Sequence, residues 1–184
     1  MYRRLLGLVG FISLAGCFQQ IVSTADLPRN TEPDGRGQLL TPGLGVIIRT
    51  SNETTRSWSR KPSDFEISLW FAPTQKGFQF DPYRTRLLLG DRVLLPKQVL
   101  TVSKASDPTR AHTFNCWSND RPPVPGQPPY ELRVGHCFEL YYDVMPPSPD
   151  TSFSLQLDGL SKDGKTLSIS QIRFKESSFR VFPF

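Results

Sequence analysis

Apolar and polar residues alternate in short runs along most of the chain. The clearest run is FEISLWFA at residues 65–72, in which Phe65, Ile67, Leu69 and Phe71 share one face. A period of two is typical of a β-strand that packs one face on a core. The same pattern, or a short apolar run suited to a buried strand, recurs at residues 44–49, 84–96, 98–102, 136–144, 152–160 and 166–174.

Prolines and turn residues separate these runs. The chain has 17 prolines, and because proline is poorly tolerated inside helices, long helices are not expected. About seven to nine short strands with turn signals between them predict an all-β fold, an antiparallel β-sandwich of immunoglobulin-like architecture. A true immunoglobulin domain is not predicted, because Trp117 adjoins Cys116 and Cys137 follows too soon for that spacing. We assign the sandwich to residues 44–184. The final stretch SSFRVFPF is predicted to be an edge strand, with Pro183 protecting the edge.

One stretch imitates a nucleotide-binding motif. GLSKDGKTLSIS, residues 159–170, has the glycine, lysine and threonine spacing of a phosphate-binding loop. That motif needs a helix after the loop, but the residues from Thr166 onwards keep a period of two. Asp163-Gly164 is a favoured two-residue hairpin turn. The sequence therefore predicts two strands joined at this turn and no nucleotide site.

The charge does not indicate a nucleic-acid partner. The chain carries 22 basic and 17 acidic residues, a net charge of +5. The basic residues are scattered, with no run longer than Arg60-Lys61, whereas a nucleic-acid binder clusters them on one face or element. We therefore predict no nucleic-acid binding.

Residues 1–16 have the layout of a secretory signal peptide. Arg3 and Arg4 form a positive start, and the apolar core from Leu5 to Leu14 is too short for a stable membrane span. Small residues follow the core. A twin-arginine export signal is an alternative interpretation of the two arginines.

Leu14-Ala15-Gly16-Cys17 closely resembles the lipobox of bacterial lipoproteins. The resemblance implies a diacylglyceryl group on the Cys17 thiol, cleavage before Cys17 and acylation of the new amino terminus. Several acyl chains give stable anchoring where one is marginal. Because Phe18 follows Cys17 in place of the aspartate that often retains such proteins in the inner membrane, the resemblance implies the outer membrane, facing the periplasm. The alternative is an ordinary signal peptide with an incidental cysteine.

The other two cysteines are then left as a pair. If Cys17 is lipidated, Cys116 and Cys137 are expected to form a disulfide in the oxidising periplasm, the alternative being two buried free thiols. His112 and His136 lie near them in sequence, which raises the possibility of zinc. However, His136 and Cys137 are adjacent in a predicted strand and point to opposite faces. We predict no metal and no cofactor.

Residues 17–43 are polar, contain proline and glycine, and lack a sustained period. They are predicted to be a lipidated flexible tether, and such a chain spans on the order of 25–30 Å. The tether would lift the domain clear of the lipid headgroups.

The sequence shows no catalytic constellation. It lacks a G-x-S-x-G elbow, and neither histidine lies beside an obvious nucleophile. We therefore expect no enzyme, and our first hypothesis is a binding or assembly module that contacts another envelope component through an edge strand or a loop patch. The alternative is a lipoprotein that binds an envelope glycan or small molecule through Trp58, Trp70 and Tyr141, unless these aromatics are simply covered. An envelope hydrolase using converging carboxylates is a third hypothesis.

Overall fold

The computed structural model describes residues 18–29, 31, 37–51, 64–102, 124–133 and 136–181, with the backbone alone at 18–20, 102 and 179–181. This part of the chain forms strands and one short 3-10 turn at Pro82–Arg84, so the predicted all-β class is confirmed. The strands are β1 (Phe18–Ala25), β2 (Gln38–Thr41), β3 (Leu44–Thr50), β4 (Phe65–Pro73), β5 (Phe78–Phe80), β6 (Thr85–Leu89), β7 (Arg92–Leu94), β8 (Gln98–Val102), β9 (Tyr130–Glu131), β10 (His136–Tyr142), β11 (Phe153–Leu157), β12 (Leu160–Lys162), β13 (Lys165–Thr166) and β14 (Ile172–Val181).

Two five-stranded antiparallel sheets make the predicted sandwich. Sheet A has the order β1-β14-β11-β6-β7, and sheet B has the order β2-β3-β4-β10-β8. A smaller sheet C has the order β13-β12-β5-β9, in which β12 and β13 form the predicted hairpin and the short strands β5 and β9 were not predicted by hydrophobic patterning. The described residues therefore hold more strands than the seven to nine expected.

The core lies between sheets A and B, where the alternating positions meet. Phe65 and Phe71 of β4 are fully buried. Phe65 packs edge-on against Phe153 of sheet A, with ring centroids 5.3 Å apart. Phe71 contacts Phe80 of sheet C at 5.0 Å. Because truncating a buried phenylalanine costs about 3–5 kcal/mol, these contacts hold the layers together.

Sheet C covers one end of the sandwich, which we call the capped end. It is tied to the turn before β6, because the Asp81 N–H donates to the Gly159 carbonyl at 3.0 Å. A Cβ at position 159 would lie 2.0 Å from the Asp81 carbonyl oxygen, so the two backbones can approach this closely only at a glycine. The opposite end, where Phe65 meets Phe153, is called the open end.

The tether prediction is wrong for the residues described. β1 pairs with β14 along its whole length, from Phe18 opposite Val181 to Ala25 opposite Phe174. Residues 38–41 pair with β3. Both segments belong to the sandwich, which therefore begins well before residue 44. Both segments lie at sheet edges and bury only a few apolar side chains, Val22 and Ala25 in β1 and part of Leu40 in β2, so neither has a sustained apolar period.

β14 lies between β1 and β11 in sheet A, but only its first residues have both neighbours. Residues 177–181, which fall in the predicted edge strand, pair with β1 alone among the described residues. β11 pairs only with residues 172–174 of β14. Beyond that point β14 continues with β1 alone, and we call this two-stranded extension, residues 18–24 and 175–181, the ribbon. The ribbon leaves the sandwich at the open end.

Candidate functional site

A shallow groove of about 590 Å³ lies on the outer face of sheet A at the capped end. Its floor is formed by Arg86 and Gln156, which stand opposite each other on β6 and β11. Their neighbours Leu87, Leu155 and Leu157 are buried in the core, so strand alternation directs the polar side chains outward. The groove walls include Tyr83, Arg84, Leu95, Asp158 and residues 166–169.

One wall exists because a predicted strand does not form. Residues 166–174 alternate in sequence, yet the structure has strand only at Lys165–Thr166 and from Ile172 onwards. Between them the chain crosses from sheet C to sheet A. Leu167 and Ile169 pack partly against the core, and the Leu167 N–H donates to the Leu160 carbonyl at 2.9 Å. The alternation of apolar and polar residues therefore belongs to a segment that crosses between two sheets, with Leu167 and Ile169 on its half-buried side.

The charged groups of the groove are only partly paired. The Nε–H of Arg86 donates to Oδ2 of Asp158 at 2.5 Å, with 42% of the Arg86 side chain and 28% of the Asp158 side chain exposed. Within the described residues the two terminal nitrogens of Arg86 have no protein partner, and the exposed Arg84 side chain has none. A guanidinium held through Nε keeps its terminal N–H groups available for an anionic ligand.

β7 gives the groove an open side. In the described part of the chain it pairs only with β6, so it is the edge of sheet A. Val93 is 58% exposed and Leu95 is 59% exposed. An edge strand presents unpaired backbone groups to which an extended chain can add, and exposed apolar side chains provide contact area.

The structure describes one of the three cysteines, Cys137. Cys17 and Cys116 lie outside the described residues. Cys137 is 1% exposed in β10. Because Cys116 lies outside the described residues, the disulfide between Cys116 and Cys137 stays a prediction.

His136 and Cys137 point to opposite faces of β10. His136 stacks on Phe138 at 4.7 Å, and its Nε2 lies 3.1 Å from the Thr101 hydroxyl. Cys137 stands opposite Trp70 on the other face of the sheet. His112 lies outside the described residues. Among the described residues, no three His, Cys, Asp or Glu side chains come close enough to hold a metal ion.

The aromatic residues considered for binding do not form one exposed surface. Trp70 is 5% exposed, so it is covered. Tyr141 is half-buried and its hydroxyl donates to Glu139 at 2.8 Å. Glu139 is itself buried at 2% exposure. Trp58 lies outside the described residues.

The Asp163-Gly164 turn is confirmed. Their φ angles are 50° and 77°, the positive values that a two-residue hairpin turn requires. The hairpin arms are Leu160–Lys162 and Lys165–Thr166, shorter than predicted, and a strand stands where a phosphate-binding loop needs a helix.

Sequence reasoning did not find the groove. Arg86 and Gln156 are separated by many residues, and only the pairing of β6 with β11 brings them together. The sequence shows only that each strand has a polar residue on its outward face. This does not identify the residue that lies opposite on the neighbouring strand.

Comparison with known proteins gives no relative. No family model, no curated protein and no solved structure matches the chain. In the described residues, no helix is long and apolar enough to cross a membrane.

Proposed function

We propose that this protein is a lipid-anchored binding module of the bacterial cell envelope. Cys17 carries the lipid in the outer membrane, and the domain faces the periplasm. The groove and the β7 edge hold an extended segment of another envelope protein. The observation that carries the proposal is the juxtaposition of the open groove with the edge strand β7, where Val93 and the following residue Leu95 are largely exposed.

Charge indicates what the bound segment contains. Arg84 and Arg86 line the groove, with Asp158 as the acidic group of the groove. An extended segment that alternates apolar and acidic side chains would place apolar groups against Leu95 and carboxylates against the arginines. Arginine suits this role because its fork matches a carboxylate.

The cysteine chemistry supports export. Structural disulfides persist in oxidising compartments such as the periplasm. Cys137 is buried in β10, and its proposed bond to Cys116 would leave Cys17 as the cysteine for lipid.

Site-specific crosslinking in living cells tests the binding face. A photoreactive amino acid at Leu95 is compared with the same group at Met145, which is 68% exposed and does not line the groove. We expect one defined envelope protein to be crosslinked from position 95 and not from position 145. Absence of a protein adduct at position 95, or equal adducts at both positions, would contradict the proposed face.

The anchor has a separate test. Mass spectrometry of the mature amino terminus should find acylated Cys17 as the first residue, and Cys17→Ala should release the protein from the membrane fraction. A mature protein with an unmodified Cys17 thiol would disprove the lipoprotein assignment.

An envelope glycan or small molecule is the second candidate ligand. Gln156, Asp158 and Arg86 supply convergent polar groups at the groove, and Tyr83 supplies an aromatic ring. Titration with soluble peptidoglycan fragments, followed by NMR, distinguishes this candidate. Shifts confined to groove residues, together with no crosslinked protein at position 95, would favour the glycan over the protein partner.

A further inference from the structure

We propose that the β1–β14 ribbon is a stiff stalk that stands on the bilayer, so that the groove faces away from the membrane. The inference rests on the proposed lipidation of Cys17. It replaces a flexible tether with a fixed orientation, and its partner is the headgroup layer of the bilayer that holds the acyl chains.

The proposed anchor lies directly beside paired backbone. Cys17 is bonded directly to Phe18, and Phe18 is the first residue of the β1–β14 ladder, opposite Val181. Consecutive Cα atoms are about 3.8 Å apart. The acylated residue is therefore one peptide unit from paired backbone, and no free segment separates the lipid from the sheet.

The ribbon is held stiff by its pairing and by contacts at its base. Eight consecutive residue pairs join β1 to β14. At its base the Thr50 hydroxyl donates to the Ser23 carbonyl at 3.2 Å, and Lys175 pairs with Asp26 at 2.6 Å. β1 is therefore tied both to its partner strand and to sheet B. The ribbon is continuous with the sandwich, so it cannot swing as a linker does.

β14 connects the groove end of the sandwich to the tip of the ribbon. β14 runs from Ile172, at the capped end beside the groove-lining residues 166–169, to Val181 at the tip of the ribbon. Ten residues of strand rise about 33 Å. The groove and the anchor therefore lie at opposite ends of the same strand.

The ribbon mixes polar and apolar residues, which suits contact with the headgroup layer. Gln19, Gln20, Ser177, Ser178 and Arg180 are polar, and Phe18, Phe179 and Val181 at the tip are apolar. Ser178 is exposed. Polar groups placed in the hydrocarbon layer without partners are costly, whereas the headgroup layer is hydrated and charged. The acyl chains supply insertion, and the ribbon tip rests at the surface.

Fluorescence quenching tests this orientation with the full acylated protein. A fluorophore is placed at Ser178→Cys and, as the matched control, at Ser168→Cys in the groove wall, which is also exposed. The protein is reconstituted in phosphatidylethanolamine–phosphatidylglycerol vesicles that carry a headgroup quencher. We expect at least a threefold stronger quenching at position 178 than at position 168.

Equal quenching at the two positions, with mass spectrometry confirming acylated Cys17, would overturn the stalk and leave the lipoprotein assignment intact. An unmodified Cys17 would overturn both. A second variant inserts a flexible Gly-Ser segment between Cys17 and Phe18. It should reduce the quenching at position 178 to the level of position 168 while acylation persists, and unchanged quenching would also overturn the stalk.

Discussion

Arg86 donates through Nε to the carboxylate of Asp158 at 2.5 Å on the outer face of sheet A. The contact orients the guanidinium and leaves its terminal nitrogens for a ligand. Since both side chains are partly exposed, an ion pair of this kind contributes only about 0–1 kcal/mol to stability. The ion pair matters more because it fixes the position of the Arg86 guanidinium in the open groove.

Loss of that cation should weaken binding without unfolding the domain. Arg86→Gln is expected to reduce capture of the envelope partner about tenfold or more, since a hydrogen bond to a charged group contributes about 1.5–3 kcal/mol. Binding of the crosslinked partner, once isolated, measures the effect. Arg133→Gln is the matched control, because Arg133 forms an exposed ion pair with Glu131 at 3.1 Å and does not line the groove. Equal losses in the two variants would exclude a specific role for Arg86.

Gly159 should be intolerant of a side chain. In Gly159→Ala the new Cβ would meet the Asp81 carbonyl oxygen at 2.0 Å, so the contact between sheet C and β6 must open. We expect a loss of about 2–4 kcal/mol, in the range for overpacking and a broken backbone contact. Gly164→Ala is the comparison, since it has open space and only its positive φ of 77° to oppose it, at a cost of about 1–2 kcal/mol. Urea unfolding measures both, and a smaller loss at position 159 than at 164 would refute the close approach.

Tyr142 should make stability fall at alkaline pH. Its side chain is fully buried, and burial raises the pKa of its phenol above the usual 10.0. The unfolded phenol therefore ionises above pH 10 while the native one stays protonated, and stability declines by about 1.4 kcal/mol per pH unit from that point upwards. Tyr142→Phe should remove this component of the decline, as measured by denaturant unfolding between pH 9 and 11.

The same substitution tests an unpaired hydroxyl. The Tyr142 hydroxyl is buried with no hydrogen-bond partner, a statement that holds for the residues described. Tyr142→Phe at pH 7 should therefore be neutral or stabilising by about 1 kcal/mol. Tyr83→Phe is the control. The Tyr83 phenol is hydrogen-bonded to the backbone of Val99, so this variant should be less stable than the wild-type protein. A loss above 2 kcal/mol in Tyr142→Phe would indicate an unrecognised partner.

Removal of β1 should destabilise the whole sandwich. Deleting residues 18–25 takes away all eight pairs with β14. It also removes the buried side chains of Val22 and Ala25, so the core residues that pack against them become exposed. We expect a loss of several kcal/mol, read from the urea midpoint, because β14 would become an unprotected edge. Insertion of a flexible segment before Phe18 is the control and should leave the midpoint unchanged. A normal midpoint after the deletion would restore the tether interpretation.

The sequence predicted the strands and turns that are determined by neighbouring residues. The alternation at residues 65–72 and 136–144 gave β4 and β10, and the dipeptides Gly90-Asp91 and Asp163-Gly164 marked two turns. The N-terminal segment was missed because β1 is specified by β14, more than 140 residues away, and not by an apolar period of its own.

The groove was missed for the same physical reason. Arg86 and Asp158 come together only through the pairing of β6 with β11, and Leu167 reaches the groove only because its segment leaves the sheet. A period of two in sequence does not distinguish a strand from a half-buried crossing.

In the proposed arrangement one end of the protein is anchored in the membrane and the other end binds an envelope protein. Photocrosslinking in native membranes distinguishes the two ends when the reactive group is placed at Leu95 in one sample and at Ser178 in another. We expect a protein adduct from position 95 and a lipid adduct from position 178. A lipid adduct from position 95, or no protein adduct there, would contradict this arrangement.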